Sequence, residues 1–274
     1  MINKINYFNE TYRKDPNIVL IHQMGKVGST SITASLKETN YFPIHIHSFF
    51  TPLSTDMYQN YHSIKYYRTW SYRMNYYLKN QLILSLFKKR KKLKIITLTR
   101  EPISRNASMY FHAFHVPLMD INKFTDNRKE SNTNLPSFRQ DFYDKFNHQY
   151  GINWFDHEFK RAWGVDVYDY PFNQDQGYSI IKKGNMEILV LQMEKLDHSE
   201  EVIRDFLELE EFELKRENTG NKKWYHSVYK EFKQGLYPED NYIENLYNSK
   251  FMQHFYHNED IEAYRSKFKG KHTS

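Results

Sequence analysis

The segment Ile18–Ile32 contains the residues of this chain whose types and spacing most clearly favour anion binding. An apolar stretch is followed by a turn with Lys26 and Gly28, and then by hydroxyl side chains that begin a helical stretch. Such a turn directs backbone N–H groups and a helix N-terminus towards one place, where a phosphate-like group can bind. The alternative is a Gly-Ser turn that only caps the helix, because Ser and Thr are preferred at that position.

The spacing in this turn excludes two nucleotide-binding motifs. In a Walker A loop the lysine directly follows the second glycine and opens the helix, whereas Lys26 precedes Gly28. Gly25 and Gly28 also lack the spacing of the dinucleotide-binding glycine signature.

A second group of candidate binding residues follows the apolar stretch Leu93–Thr99. Arg100 directly follows that stretch, and Ser108 lies eight positions after Arg100. Pro102 between them is a helix-start signal. Ligands of open α/β sheets bind at the carboxyl ends of the strands, and a planar guanidinium suits a phosphate there. Alternatively, Arg100 pairs with Glu101 or a helix end, and Ser108 is a helix-surface residue.

Two histidines are candidates for a general base. His45 and His47 alternate with Ile44 and Ile46, which is the period of a strand, so both imidazoles face one side. An imidazole is the side chain most often used to accept a proton near neutral pH. The alternatives are that these are hydrogen-bonded structural histidines and that an Asp or Glu elsewhere is the base.

Strands that alternate with helices must position these residues. Apolar stretches at 18–21, 94–99 and 188–192 predict buried parallel strands, and the alternation at 43–47 predicts a fourth. The sequence therefore predicts an α/β fold whose central, mainly parallel sheet is flanked by helices. Helices are predicted at 31–38, 72–89, 103–114, 200–209, 222–232 and 240–268, and a loop or lid at 116–134.

No linker rich in Pro, Gly or Ser divides the chain, so residues 1–274 are predicted to form a single domain, with a core over about 17–235 and a helical extension over 236–274.

Two further stretches, one aromatic and one basic, are expected to have structural roles. The aromatic-rich stretch Tyr66–Tyr77 is expected in the core, with stacking on sugar rings as the alternative. The basic run Lys88–Lys92 is expected to be a solvated helix end, with anion recruitment as the alternative.

Composition excludes several classes of function. The 274 residues include no cysteine, which excludes disulfides, thiolate metal sites and a cysteine nucleophile. The formal net charge of +6 suits an anionic ligand but is too small to indicate a nucleic-acid partner. The longest apolar run, Leu82–Phe87, is far shorter than the roughly 20 residues that span a bilayer. A cytoplasmic protein without a transmembrane segment or metal is expected.

Together the motifs resemble those of sulfotransferases that use 3′-phosphoadenosine-5′-phosphosulfate (PAPS). Residues 26–30 resemble the family's 5′-phosphosulfate loop, and Arg100 with Ser108 resembles its 3′-phosphate motif. Residues 188–196 resemble a later core strand, with Met193 in place of an aromatic before Glu194. The segment Asn221–Ser227 is similar to the Asn-Lys-Trp-Tyr-Ser signature of bacterial capsular-polysaccharide synthesis proteins, a branch of that superfamily.

The resemblance implies a P-loop-like three-layer fold and transfer of a sulfonate from PAPS to a hydroxyl group, with a carbohydrate as acceptor. It implies that Lys26 is catalytic, that His47 is the base ahead of His45, and that Lys215, Arg216 or Lys222 closes on the 3′-phosphate. The alternatives are a P-loop nucleotide kinase or NTPase, and a nucleotide-binding relative without catalysis. The cosubstrate-binding residues implied are Lys26, Val27, Gly28, Ser29, Thr30, Ser31, Arg100, Ser108, Arg216 and Lys222.

Overall fold

The computed structural model describes residues 10–51, 69–112, 135–215 and 225–269. These residues form two compact units, each assembled from separate stretches of the chain. This division into units does not test whether residues 1–274 form a single domain, so the single domain stays a prediction. The described residues of the first unit are 10–51, 74–101 and 153–215, and those of the second are 69–73, 102–112, 135–152 and 225–269.

A five-stranded sheet forms the centre of the first unit. Its strands are β1 (Ile18–His22), β2 (Phe42–Ile46), β3 (Leu93–Thr99), β4 (Tyr178–Lys183) and β5 (Met186–Gln192). The order across the sheet is β2-β1-β3-β5-β4, and every neighbouring pair is parallel except β4 with β5. The predicted α/β class with a mainly parallel sheet is therefore confirmed, whereas the P-loop-like three-layer arrangement remains a prediction.

The two central strands that precede the candidate residues are the most buried. Every residue of β1 and of β3 is buried, as expected for parallel strands covered on both faces. In the register between them Ile21 lies beside Ile96. Because parallel strands share a direction, the loop after β1 and the residues after β3 emerge at the same edge of the sheet.

The antiparallel edge strand β4 is absent from the sequence-based prediction. It pairs with β5 so that Lys183 lies opposite Met186, which leaves Gly184 and Asn185 as a two-residue turn. Gly184 has a φ of 59°, as such a turn requires. Ile181 is buried and Ile180 is exposed, so this short strand has too little apolar sequence to stand out as a core strand.

The described part of the chain contains eleven α-helices. They are α1 (Ser29–Leu36), α2 (Trp70–Lys88), α3 (Pro102–His112), α4 (Leu135–Lys145), α5 (Tyr150–Trp154), α6 (Arg161–Trp163), α7 (Glu200–Leu207), α8 (His226–Gln234), α9 (Asp240–Tyr247), α10 (Lys250–Phe255) and α11 (Asn258–Lys269). Shorter helical segments are the π-helices Glu10–Lys14 and Phe155–Lys160 and the 3₁₀-helices Val167–Asp169 and Met193–His198.

The single helix predicted over 240–268 is wrong. The chain forms α9, α10 and α11 there. Ser249 takes an extended conformation and its hydroxyl accepts the N–H of Met252, which starts α10, and the extended conformation of Tyr256 ends α10 before α11. The helices predicted at 31–38, 72–89 and 103–114 correspond to α1, α2 and α3 with ends displaced by one or two residues. The loop or lid predicted at 116–134 lies outside the described residues.

Aromatic side chains from α3, α4 and α8 form the core of the second unit. Tyr110, Phe142 and Phe232 are buried and their rings lie 5.3 to 5.9 Å apart between centroids. The Tyr110 hydroxyl donates to Asp141 at 2.8 Å, so this buried polar group is satisfied. Burial raises the pKa of Tyr110 above its ordinary value.

Candidate active site

The loop between β1 and α1 has an unusual backbone. φ is 71° at Lys26 and 93° at Gly28, whereas Val27 between them has a negative φ. Alternation of this kind turns successive backbone N–H groups towards one side, which is the geometry of an anion-binding nest. A left-handed conformation at a non-glycine residue costs roughly 1–2 kcal/mol, so the surroundings must hold Lys26 in place.

Gly28 combines its positive φ with close packing. A Cβ atom at this position would lie 3.2 Å from Met193 Cγ and 3.3 Å from Leu196 Cδ2. Met193, which replaces an aromatic residue of the sulfotransferase pattern, therefore packs directly against the loop.

Arg100 connects the loop to the end of β3. Its Nη1 donates a hydrogen bond of 2.8 Å to the backbone oxygen of Lys26. The adjacency of β1 and β3 makes this contact possible across 74 positions of sequence. Two segments that the sequence marked separately are thus brought together, and the contact fixes the strained residue of the loop.

Glu194 anchors the turn that follows Arg100. One of its carboxylate oxygens, Oε1, accepts the backbone N–H of Glu101 at 2.9 Å. Desolvation raises the pKa of Glu194, while the backbone hydrogen bonds and the charge of Arg100 oppose the rise. The carboxylate that follows β5 therefore holds the residue next to Arg100.

His45 and His47 form a pair beside Gln23. Their ring centroids lie 4.4 Å apart with the planes at 70°. The side-chain Nε2 of Gln23 lies 3.2 Å from His45 Nε2, and the backbone oxygen of Gln23 lies 3.1 Å from His47 Nδ1. One residue at the start of the loop thus contacts both candidate bases.

These two contacts assign the same tautomer, with the proton on Nδ1, to both imidazoles, but a different ring nitrogen of each meets Gln23. A carbonyl oxygen only accepts, so His47 carries its proton on Nδ1 and its lone pair on Nε2. The Gln23 amide nitrogen only donates, so His45 accepts with Nε2 and carries its proton on Nδ1. The His45 lone pair is therefore directed at the Gln23 amide, so His45 can accept a further proton only after this contact is broken.

Both the surroundings and the neighbours of His45 oppose its protonation. His45 is exposed as a residue, but neighbouring protein atoms reduce the hydration of its ring. This desolvation, followed by the charges of His47 and His22, lowers the pKa of His45 to about 3. His45 is therefore neutral at physiological pH.

A buried carboxylate supports the segment that follows the histidine pair. Glu158 Oε2 accepts from the Ser48 hydroxyl at 2.8 Å, and Oε1 accepts from the Phe49 backbone N–H at 2.6 Å. Trp154 Nε1 donates to the backbone oxygen of His47 at 3.2 Å. The backbone at His47 is therefore fixed from the helical segment 154–158.

His22, the last residue of β1, completes this network as a neutral imidazole. Trp163 Nε1 donates to His22 Nδ1 at 2.8 Å, which leaves the proton on Nε2, 3.3 Å from Glu158 Oε1. Burial lowers the pKa of His22, and the hydrogen bond and charge of Glu158 only partly oppose this. His22 is thus a structural histidine and is not a candidate base.

The other predicted cosubstrate residues have different environments. Val27 and Ser29 are buried, Ser31 is half-buried and Thr30 is exposed. Ser108 lies on α3 in the second unit, so its predicted partnership with Arg100 remains a prediction. Arg216 and Lys222 lie outside the described residues.

Three residues of the site were missed from the sequence. Gln23 had a detectable signal, because it directly follows β1 and precedes the loop. The sequence contained no signal for Glu158 or for the role of Glu194, because the hydrogen-bond partners of both lie about a hundred positions away in the sequence.

The fold and site define an α/β protein whose mainly parallel sheet presents a glycine loop, an arginine and a histidine pair. Residues 128–257 match the model of the NKWYS family, which is described as "Putative capsular polysaccharide synthesis protein". The match contains the segment Asn221–Ser227, so this part of the resemblance is confirmed. The loop, the histidine pair and Arg100 lie outside the matched range. No curated protein and no solved structure matches the chain.

The described residues contain neither a membrane-spanning helix nor a cluster of metal-binding side chains. None of their helices is both long and apolar enough to cross a membrane. They also contain no group of three or more His, Asp or Glu side chains arranged to hold a metal ion.

Proposed function

We propose that the protein transfers a sulfonate group from PAPS to a hydroxyl group of a saccharide. The observation that carries the proposal is the hydrogen bond from Arg100 to the Lys26 carbonyl, because it joins the two segments that resemble the sulfotransferase motifs. The match to a capsular polysaccharide synthesis family supports a saccharide as the acceptor.

In this proposal the loop and Lys26 bind the reacting end of the cosubstrate. PAPS supplies the sulfonate: the acceptor oxygen bonds to sulfur, the bond from sulfur to the bridging phosphate oxygen breaks, and 3′,5′-ADP leaves. Backbone N–H groups of the nest at 26–28 and the ammonium of Lys26 stabilise negative charge at this end. Stabilisation by preorganised donors is effective because the loop is already held by Arg100.

Arg100 then has two tasks. One N–H of its guanidinium holds the Lys26 carbonyl, and the guanidinium has five N–H donors in total. The remaining donors can bind the 3′-phosphate in the bidentate manner that arginine favours. Ser108, Arg216 and Lys222 are proposed as further 3′-phosphate ligands.

His47 is the proposed general base. The acceptor hydroxyl gives its proton to Nε2, because Nδ1 already carries a proton and donates it to the Gln23 carbonyl. The hydrogen bond from Nδ1 to the Gln23 carbonyl also stabilises the imidazolium that forms when Nε2 accepts the proton. His45 is the second candidate and requires rearrangement of its contact with Gln23 before it can accept a proton.

The cosubstrate assignment is tested by calorimetric titration with 3′,5′-ADP, 5′-AMP and ATP. We expect 3′,5′-ADP to bind at least about tenfold more tightly than 5′-AMP, since one charge-assisted hydrogen bond contributes about 1.5–3 kcal/mol. Equal affinities for the two nucleotides, or the tightest binding for ATP with Mg²⁺, would refute the assignment.

Arg100→Ala separates the two tasks of the arginine. If Arg100 binds the 3′-phosphate, the variant loses affinity for 3′,5′-ADP and the preference over 5′-AMP disappears. If Arg100 only supports the loop, affinity for both nucleotides falls by the same factor. Arg204→Ala, on α7 with its guanidinium paired to Asp205, is the matched control and should change neither affinity.

A further inference from the structure

Helix α2 carries an apolar stripe on its solvent side. Trp70, Met74, Leu78 and Leu82 follow one another at intervals of four residues and are 75%, 38%, 57% and 40% exposed. Residues at this spacing lie along one side of a helix. The sequence-based expectation that the aromatic stretch ending at Tyr77 belongs to the core is therefore wrong for its described part, where Trp70, Tyr72 and Tyr77 are exposed.

The opposite side of the same helix is the one that packs against the protein. Its buried residues are Asn80, Ile83, Leu84 and Phe87, and Asn80 donates to the backbone oxygen of Ser48. The helix is therefore apolar on two sides, although only the buried side packs within the first unit, to which residues 74–88 belong. A continuous exposed apolar stripe is uncommon on a soluble surface and marks a contact with another body.

Positive charge surrounds this stripe. Residues 69–100 contain nine Lys and Arg and no Asp or Glu. Within the described part of the chain, the exposed cations of this stretch that form no ion pair are Arg73, Lys79, Lys88, Lys89 and Lys91. Lys92 and Lys94 differ from them, because both pair with Glu187 and Glu208.

We propose that α2 docks the protein on an anionic lipid bilayer, lying in the plane of the membrane surface. The stripe inserts among the upper parts of the acyl chains, and the unpaired cations contact anionic headgroups. A helix with a tryptophan and aliphatic residues on one side, basic residues around them and no acidic residue has the composition of interfacial membrane helices.

Two other occupants fit these observations less well. A second copy of the chain would bring the same unpaired cations close to their own counterparts, where like charges repel. A nucleic acid would use the cations but would leave Met74, Leu78 and Leu82 without a role. The bilayer accounts for the charge and the apolar stripe together.

Vesicle flotation tests the proposal with the full chain. We expect binding to vesicles of phosphatidylcholine mixed with phosphatidylglycerol, much weaker binding to phosphatidylcholine alone, and loss of binding as NaCl is raised. Substitution of Met74, Leu78 and Leu82 by serine should lower the partition coefficient about tenfold for each leucine. Lys88→Glu should lower it at least about fivefold.

Tryptophan fluorescence locates the contact. Anionic vesicles should shift the emission to shorter wavelength, and Trp70→Phe should remove the larger part of that shift, because Trp154 and Trp163 are already buried. Trp224, which lies outside the described residues, is the fourth tryptophan, and Trp224→Phe should keep the shift. Ile180→Ser is the matched control: Ile180 is a single exposed apolar residue near Lys182 and Lys183, and its loss should leave binding unchanged.

Three results would overturn the proposal. The first is equal binding to neutral and anionic vesicles. The second is a dimer in sedimentation velocity that the serine substitutions dissociate while vesicle binding is absent. The third is binding to heparin or RNA, without vesicle binding, that the serine substitutions leave unchanged.

Discussion

Glu158→Gln should destabilise the first unit by about 2–4 kcal/mol. The carboxylate accepts three hydrogen bonds, from His22, Ser48 and the Phe49 backbone, and the residue is 6% exposed. Glutamine keeps the volume and one oxygen but places an NH₂ group where Oε2 accepts from the Ser48 hydroxyl. A hydrogen bond to a charged acceptor contributes about 1.5–3 kcal/mol, and the two retained bonds become weaker with a neutral acceptor.

The geometry around Ser48 explains why the amide cannot restore the lost bond. The Ser48 hydroxyl oxygen already accepts the backbone N–H groups of Phe50 and Thr51 at 3.1 and 3.0 Å. An NH₂ group from residue 158 would be a third donor to the same oxygen, and the hydroxyl hydrogen would lose its acceptor. A buried donor without a partner adds to the cost.

Urea unfolding, followed by fluorescence, measures this difference. Trp154 and Trp163 lie beside the network and report on it directly. Glu210→Gln, at an exposed position of the same unit, is the matched control and should change the unfolding free energy by less than about 0.5 kcal/mol. Glu158→Gln with wild-type or greater stability would refute the reasoning, because desolvation of the carboxylate would then outweigh its hydrogen bonds.

Three further predictions concern the loop and the histidines. Gly28→Ala should lower the unfolding free energy in urea by at least about 1 kcal/mol and weaken 3′,5′-ADP binding in calorimetry. The reasons are the φ of 93° and the side chains of Met193 and Leu196, which would lie 3.2 and 3.3 Å from the new Cβ and would have to shift; wild-type behaviour would contradict this. In ¹⁵N NMR, Gln23→Met should release the tautomer of His45 but keep that of His47, whose partner is a backbone oxygen; a change at His47 alone would show that the contacts are misassigned. Desolvation lowers the pKa of His148 to about 4, so the unfolded chain, with a pKa of about 6.5, binds the proton more readily. Stability should therefore be complete above pH 6.5 and fall by about 2 kcal/mol by pH 5, and urea titrations of His148→Gln should lack this component.

The sequence determined the elements that carry the chemistry. The apolar stretches before Gln23 and Arg100 are continuous and bounded by turn signals, so β1 and β3 could be recognised without knowledge of their neighbours. Parallel strands then bring their carboxyl ends to one edge, which predicted that the glycine loop and Arg100 would be close. Local pattern and a general rule of topology were sufficient for this part of the site.

Three elements were not predicted correctly, because their apolar residues are few or lie on more than one side of the element. β4 has Ile181 inside and Ile180 outside, and the turn Gly184-Asn185 was its only clear signal. The amphipathic stretch over 240–268 continues across Ser249, where a single side-chain cap starts a new helix. In α2 the aromatic residues indicated burial, but hydropathy does not show which side of a helix faces its own domain.

Only the tertiary structure shows how the contacts of the two histidines differ and what holds the backbone at His47. Strand alternation placed His45 and His47 on one side and treated them alike. Their contacts with Gln23 distinguish them, because an amide nitrogen and a carbonyl oxygen impose opposite roles on the ring nitrogens they meet. Glu158 reaches the same segment across more than one hundred positions, and no local pattern specifies a hydrogen bond over that separation.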